Sequence, residues 1–130
     1  MSFFKSLFGS ENESQNNSHK VNWVNLNHLD QLDMIVQKSW EKSVVIFKHS
    51  TRCSISRMAL KQFENGFNLE GKIEPYFLDL LEYRPISNEI ASVFGVMHQS
   101  PQILVIRNGV SVYNASHDAI QAESLHEFVK

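Results

Sequence analysis

From Trp23 onward the apolar residues follow two alternating rhythms, short continuous runs and positions three or four apart. Trp23, Val24 and Leu26 predict a short strand. Leu29, Leu32, Ile35 and Val36 share one face of a helix over Asn27–Lys38, with Asn27 as its cap. Ser43–Lys48 is a β-branched apolar run with polar ends, the pattern of a central parallel strand covered on both faces. His49–Cys53 then forms a turn. A second helix runs to about Phe67, burying Ile55, Ala59, Leu60 and Phe63, with Asn65 and Gly66 as its stop. Ile73–Leu80 reads as a strand with Pro75 near its start, where a missing amide donor does least harm. Ile86, Ile90 and Phe94 form the spine of a helix over Pro85–Phe94 that Gly95 closes, and Pro85 biases Arg84 away from helical angles.

Beyond Pro101, the runs Ile103–Ile106 and Val110–Tyr113 flank Asn108-Gly109, a pair suited to the positive φ of a tight hairpin turn. A last helix is expected over Asp118–Val129, capped by Ser116, with Ile120, Leu125 and Phe128 facing inward. Strand, helix, strand, helix, strand, helix, hairpin and helix in succession predict an α/β fold, a central mixed sheet flanked by helices. That domain covers residues 21–130. Phe3, Phe4, Leu7 and Phe8 could share one side of a short helix, but Ser10–Lys20 is wholly polar, so residues 1–20 are expected to form a flexible N-terminal tail.

Composition narrows the function classes. The 130 residues are 42% hydrophobic with nine Phe and two Trp, enough for one domain with a real core. Twelve Lys and Arg oppose fourteen Asp and Glu, and without a basic block the chain is not expected to bind nucleic acid. No apolar run approaches the roughly 20 residues that span a bilayer. A single cysteine forms no internal disulfide, and together with the lack of an export signal it points to a cytoplasmic protein. The dispersed histidines have no zinc spacing, and Asp79, Glu82 and Glu89 do not form an acid/base pair, so no metal site and no tightly bound cofactor are expected. Surface and core hydrophobicity are not separable at this level, so no oligomeric state is assigned.

The chemistry converges on Cys53, between a central strand and the next helix. Unpaired amides and the positive end of the helix favour thiolate over thiol there. Arg52 adds a positive charge beside it, and Lys48 and His49 do the same if the turn folds back. A cysteine buried for packing alone is the competing reading, opposed by the polar neighbours Ser50, Thr51, Arg52, Ser54 and Ser56. Cys53-Ser54-Ile55-Ser56 has the spacing of a redox Cys-x-x-Cys with serine in the last place. Serine cannot resolve a mixed disulfide, although its hydroxyl can donate to the Cys53 thiolate, so an outside thiol must finish the exchange. Ser100-Pro101 precedes a strand, and a cis bond there would expose backbone for an extended substrate, whereas a trans proline would be ordinary. His98 is placed at the same rim, with a plain surface role as the alternative. Thr51 and Ser54 complete the polar surround.

The stretch His49-Ser50-Thr51-Arg52-Cys53-Ser54-Ile55-Ser56, the later Ser100-Pro101-Gln102 and the element order together resemble the bacillithiol-system YtxJ family, the monothiol bacilliredoxins. The resemblance covers residues 22–130. It implies a thioredoxin-like fold in which Cys53 forms and releases mixed disulfides with bacillithiol, a low-molecular-weight thiol and co-substrate, while removing it from S-thiolated client proteins. It also implies that Pro101 is the cis proline beside the sulfur. The family usually has proline directly after the cysteine, where this chain has Ser54. Two other readings stand: a redox-inactive thioredoxin-like interaction domain, and a glutathione-dependent monothiol glutaredoxin, with or without a shared iron–sulfur cluster.

Overall fold

The computed structural model describes residues 21–130, and the tail expected over residues 1–20 lies outside them. Within the described residues the order is β1 (Val24–Asn25), α1 (Asp30–Lys38), β2 (Val44–His49), α2 (Ser54–Gly66), β3 (Glu74–Asp79), α3 (Arg84–Phe94), β4 (Gln102–Arg107) and β5 (Val110–Ser116). Two 3₁₀ segments, His117–Ala119 and Ala122–Phe128, follow. The strands make one mixed sheet in the order β1-β3-β2-β4-β5. β2 lies at its centre, parallel to β3 and antiparallel to β4.

Every residue of β2 is buried, which accounts for its unbroken apolar run. Its side chains alternate between two layers. Val45 and Phe47 pack with Ile103, Ala59, Phe63 and Leu125 beneath α2 and the 3₁₀ segments. Val44 and Ile46 pack with Leu32, Ile35, Ile86 and Ile90 beneath α1 and α3. The sheet is thus covered on both faces, as the alternating element order predicts. Asn108 and Gly109 both take positive φ, 53° and 82°, in the turn that joins β4 to β5. β1 reaches only Tyr76 and Phe77, so Pro75 sits on a stretch of β3 with one neighbouring strand.

Several local expectations change. The final segment is not an α-helix capped by Ser116; Ile120 and Gln121 are extended and separate two 3₁₀ segments. Ala122, Leu125 and Phe128 are spaced by three, which stacks them on one edge of a 3₁₀ helix and carries all three onto the core. α1 begins at Asp30, not at Asn27, because the Gln31 side chain reaches back and accepts the amides of Asn27 and His28 at 2.8 and 2.9 Å. α3 starts one residue early, at Arg84, and closes on Gly95 at φ 65°. Gly66 ends α2 without a left-handed turn, since Phe67 after it is extended. Its missing side chain matters for approach instead, because a Cβ there would lie 3.4 Å from Ala122 Cβ and 3.2 Å from Glu123 Oε2.

Candidate active site

β2 delivers the chain to one end of the sheet, and the turn after it places Cys53 at the N-cap of α2, with extended backbone and no capping bond from its side chain. Main-chain bonds run through the turn: the Cys53 amide donates to the Ser50 carbonyl at 3.2 Å, and the Cys53 carbonyl accepts the Arg57 amide at 3.1 Å. The amides of Ser54, Ile55 and Ser56 have no intrahelical acceptor, and no acidic residue in that turn offsets the positive helix end. Cys53 is a free, half-buried thiol. A thiol so placed is within reach of partners from solvent.

Ser56 has a different place from the one expected. It is fully buried, and its Oγ accepts the Ser50 amide at 3.0 Å and lies 2.8 Å from His49 Nδ1. Among the described hydrogen bonds none joins it to Cys53. The hydroxyl therefore ties the first turn of α2 to the end of β2. Burial lowers the His49 pKa, helped by the Arg57 charge and opposed by Asp79 and Glu64, so this ring is a neutral hydrogen-bonded core group. Ser56→Ala leaves both the ring nitrogen and the Ser50 amide without this partner, and is expected to lower stability by about 1–3 kcal/mol in urea denaturation. An unchanged midpoint would show that the anchor contributes nothing.

The opposite flank comes from β4. Gln102, its first residue, pairs with Lys48 near the end of β2, so Ser100-Pro101 lies at the same end of the sheet as Cys53. The Ser100–Pro101 bond is cis. Pro101 is buried and its carbonyl accepts the His117 amide at 3.1 Å. Ser100 Oγ is buried and, among the described residues, without a hydrogen-bond partner. His98 turns inward: its Nδ1 lies 3.4 Å from Lys48 Nζ and 3.3 Å from Ser87 Oγ. Burial, then the charges of Lys48 and Arg84, lower its pKa.

Thr51, Arg52 and Ser54 are exposed around the turn. Thr51 and Arg52 line an open cleft of about 430 Å³ with Asp79, Leu81 and Glu82. The Arg57 guanidinium donates to the Thr51 carbonyl at 3.2 Å, a cation beside the turn that its place four residues after Cys53 could have signalled. Ile55 is not buried as expected but 54% exposed. Four-residue steps drift about 40° around a helix, so in the line Ile55, Ala59, Phe63 only the last two stay over the core, and Ser56 takes the inward place in the first turn. Ile55, Met58 and Met97 leave exposed apolar surface on the two segments that flank the cysteine. Lys48 is the other residue whose position sequence reasoning missed, because its side chain leaves the turn altogether and enters the layer beneath α3.

Among the described residues no cluster of three or more His, Cys, Asp or Glu side chains could hold a metal ion, and no helix is long and apolar enough to cross a membrane. The fold is shared with solved proteins. One described by its thioredoxin fold is 34% identical with a TM-score of 0.69, over 80% of this chain and 90% of its own. Malassezia sympodialis thioredoxin is 20% identical with a TM-score of 0.63, over 84% and 89%. Plasmodium falciparum thioredoxin is 14% identical with a TM-score of 0.65, over 84% and 100%. A single cysteine in the β2-α2 turn, at the same end of such a sheet as a cis proline, defines a thioredoxin-fold protein with a single thiol. Residues 24–125 match the family model described as monothiol bacilliredoxin BrxC, and the chain belongs to that family.

Proposed function

We propose that the protein is a thiol-disulfide oxidoreductase that removes bacillithiol from S-bacillithiolated proteins of the cytosol through a mixed disulfide at Cys53. The observation that carries this reading is a lone, half-buried cysteine at the mouth of a helix whose first turn holds no acidic residue. The Cys53 thiolate attacks the bacillithiol sulfur of the client disulfide; the new S–S bond forms as the client S–S bond breaks, and the client leaves as a thiolate. A second bacillithiol, as thiolate, then attacks the Cys53 adduct, giving bacillithiol disulfide and restoring Cys53. Only the second bacillithiol is thereby oxidised, from thiol to disulfide, and the client sulfur gains its electrons, the first bacillithiol sulfur staying at the disulfide level throughout.

Arg52 and the first-turn amides stabilise the departing and attacking anions. Ser54 keeps an amide hydrogen beside the sulfur where a proline would have none, and Thr51 contributes its exposed surface to the cleft. Ser56 supports the turn from within. Half-buried Ser100, just ahead of the cis Pro101, offers the client main-chain contact, while Ile55, Met58 and Met97 offer it apolar contact.

Intact-mass measurement of the folded protein after exposure to bacillithiol disulfide tests the reading. One adduct, mapped to Cys53 and released by free bacillithiol, is expected. No adduct under native conditions would overturn it, and faster capping by glutathione disulfide in a competition would move the co-substrate to glutathione.

A further inference from the structure

Lys48 is fully buried in the central strand, yet among the described residues no carboxylate lies within ion-pairing distance of its ammonium. Its Nζ approaches the Ser87 carbonyl of α3 at 3.4 Å and His98 Nδ1 at 3.4 Å. Its strand partners, Leu78 of β3 and Gln102 of β4, bring no charge. Gln102 braces the same turn, donating from Nε2 to the Met97 carbonyl at 3.0 Å and accepting the Gln99 amide at 3.3 Å. The interior of the sheet thus grips residues 97–99 by polar bonds, and Ser100-Pro101 follow directly. A desolvated ammonium without a counter-ion is costly, and burial lowers the Lys48 pKa to about 8. A methionine would fill the same place without that cost. A group kept at such expense one strand away from Pro101 points to a task there.

We propose that Lys48 is a positioning residue for the exchange reaction: by holding Ser87 and His98 it fixes the Met97–Pro101 turn as the wall against which the client disulfide is presented to Cys53. The proposal rests on the function proposed above. Lys48 acts through His98 and the turn, and not on the sulfur itself.

The test compares wild type with Lys48→Met, His98→Ala and the double variant, using an S-bacillithiolated peptide and free bacillithiol. Each single variant is expected to lose about 10- to 100-fold in kcat/KM for the peptide, the scale of a misplaced wall. The rate at which free bacillithiol releases a preformed Cys53 adduct should fall less. The double variant should be no slower than the slower single one, because both changes release the same turn. In Lys48→Met the His98 ring, followed by NMR, should titrate at higher pH than in wild type, since the Lys48 charge helps to hold it down. Wild-type kcat/KM in folded Lys48→Met, additive losses in the double variant, or an unmoved His98 titration would each overturn the proposal. Should Lys48→Met fail to fold, His98→Ala decides, and a wild-type rate there overturns it equally. If the wild type is no faster than Cys53→Ser, the exchange function itself falls and takes this role with it.

Discussion

Cys53→Ser is expected to lose the removal of bacillithiol from a client by roughly a thousandfold or more, because the covalent route disappears with its nucleophile. A serine hydroxyl does not exchange with a disulfide, and no other thiol exists in the chain to replace Cys53. The same substitution should raise stability. Cys53 stands at the N-cap of α2 with extended backbone and no capping bond, and serine is among the preferred residues for that place, with a cap typically contributing about 1 kcal/mol. Rates measured on one S-bacillithiolated client, beside urea denaturation of both proteins, check the pair of effects. A variant that melts earlier and reacts slowly would leave the loss ambiguous in origin; one that is firmer and inert assigns the chemistry to sulfur. Retained activity in Cys53→Ser would end the oxidoreductase reading.

Lys48→Met is expected to stabilise the fold at neutral pH, with a gain that depends on pH. The buried ammonium has its pKa lowered from 10.5 to about 8, which corresponds to about 3 kcal/mol of penalty on the charged form. The lost bonds to Ser87 and His98, both long at 3.4 Å, return part of this, leaving a net gain of about 1–3 kcal/mol. Between pH 8 and 10.5 the unfolded chain holds a proton on Lys48 that the native one has shed, so wild-type stability rises with pH across that window. The penalty is complete below pH 8 and gone above 10.5. The stability difference between variant and wild type should therefore be largest at pH 7 and shrink through pH 9 to 10.5 in urea titrations. A difference independent of pH would show that Lys48 is not titrating in the interior.

What was legible in the sequence is what depends on neighbours along the chain. Val44–Phe47 announces a doubly covered strand because all of its residues are apolar, Asn108-Gly109 fits a turn with two positive φ values, and Gly95 fits the left-handed close of α3. Cys53 at the strand-to-helix turn follows from the same local grammar. Lys48 looked like the polar end of a strand, because Ser87 and His98, which define its surroundings, lie 39 and 50 residues away. Ser56 invited a bond to Cys53 from its spacing, but docking of α2 on β2 commits its hydroxyl to His49 and Ser50. Ile55 failed for a helical reason, a drifting stripe whose first member slips off the core. The final segment held a signal that was open to reading: Ala122, Leu125 and Phe128 repeat every three residues, the period of the tighter helix they form.

With serine at position 56 and no second thiol in the chain, the reactive atom has no internal successor. On the chemistry proposed above, a capped protein waits until a visiting sulfhydryl collides with it, so two visitors must alternate at one point. Initial velocities plotted as double reciprocals then give parallel lines, and when the pool of reduced bacillithiol is depleted the catalyst idles in its loaded form. Its working rate becomes a readout of that reservoir, set by supply from outside.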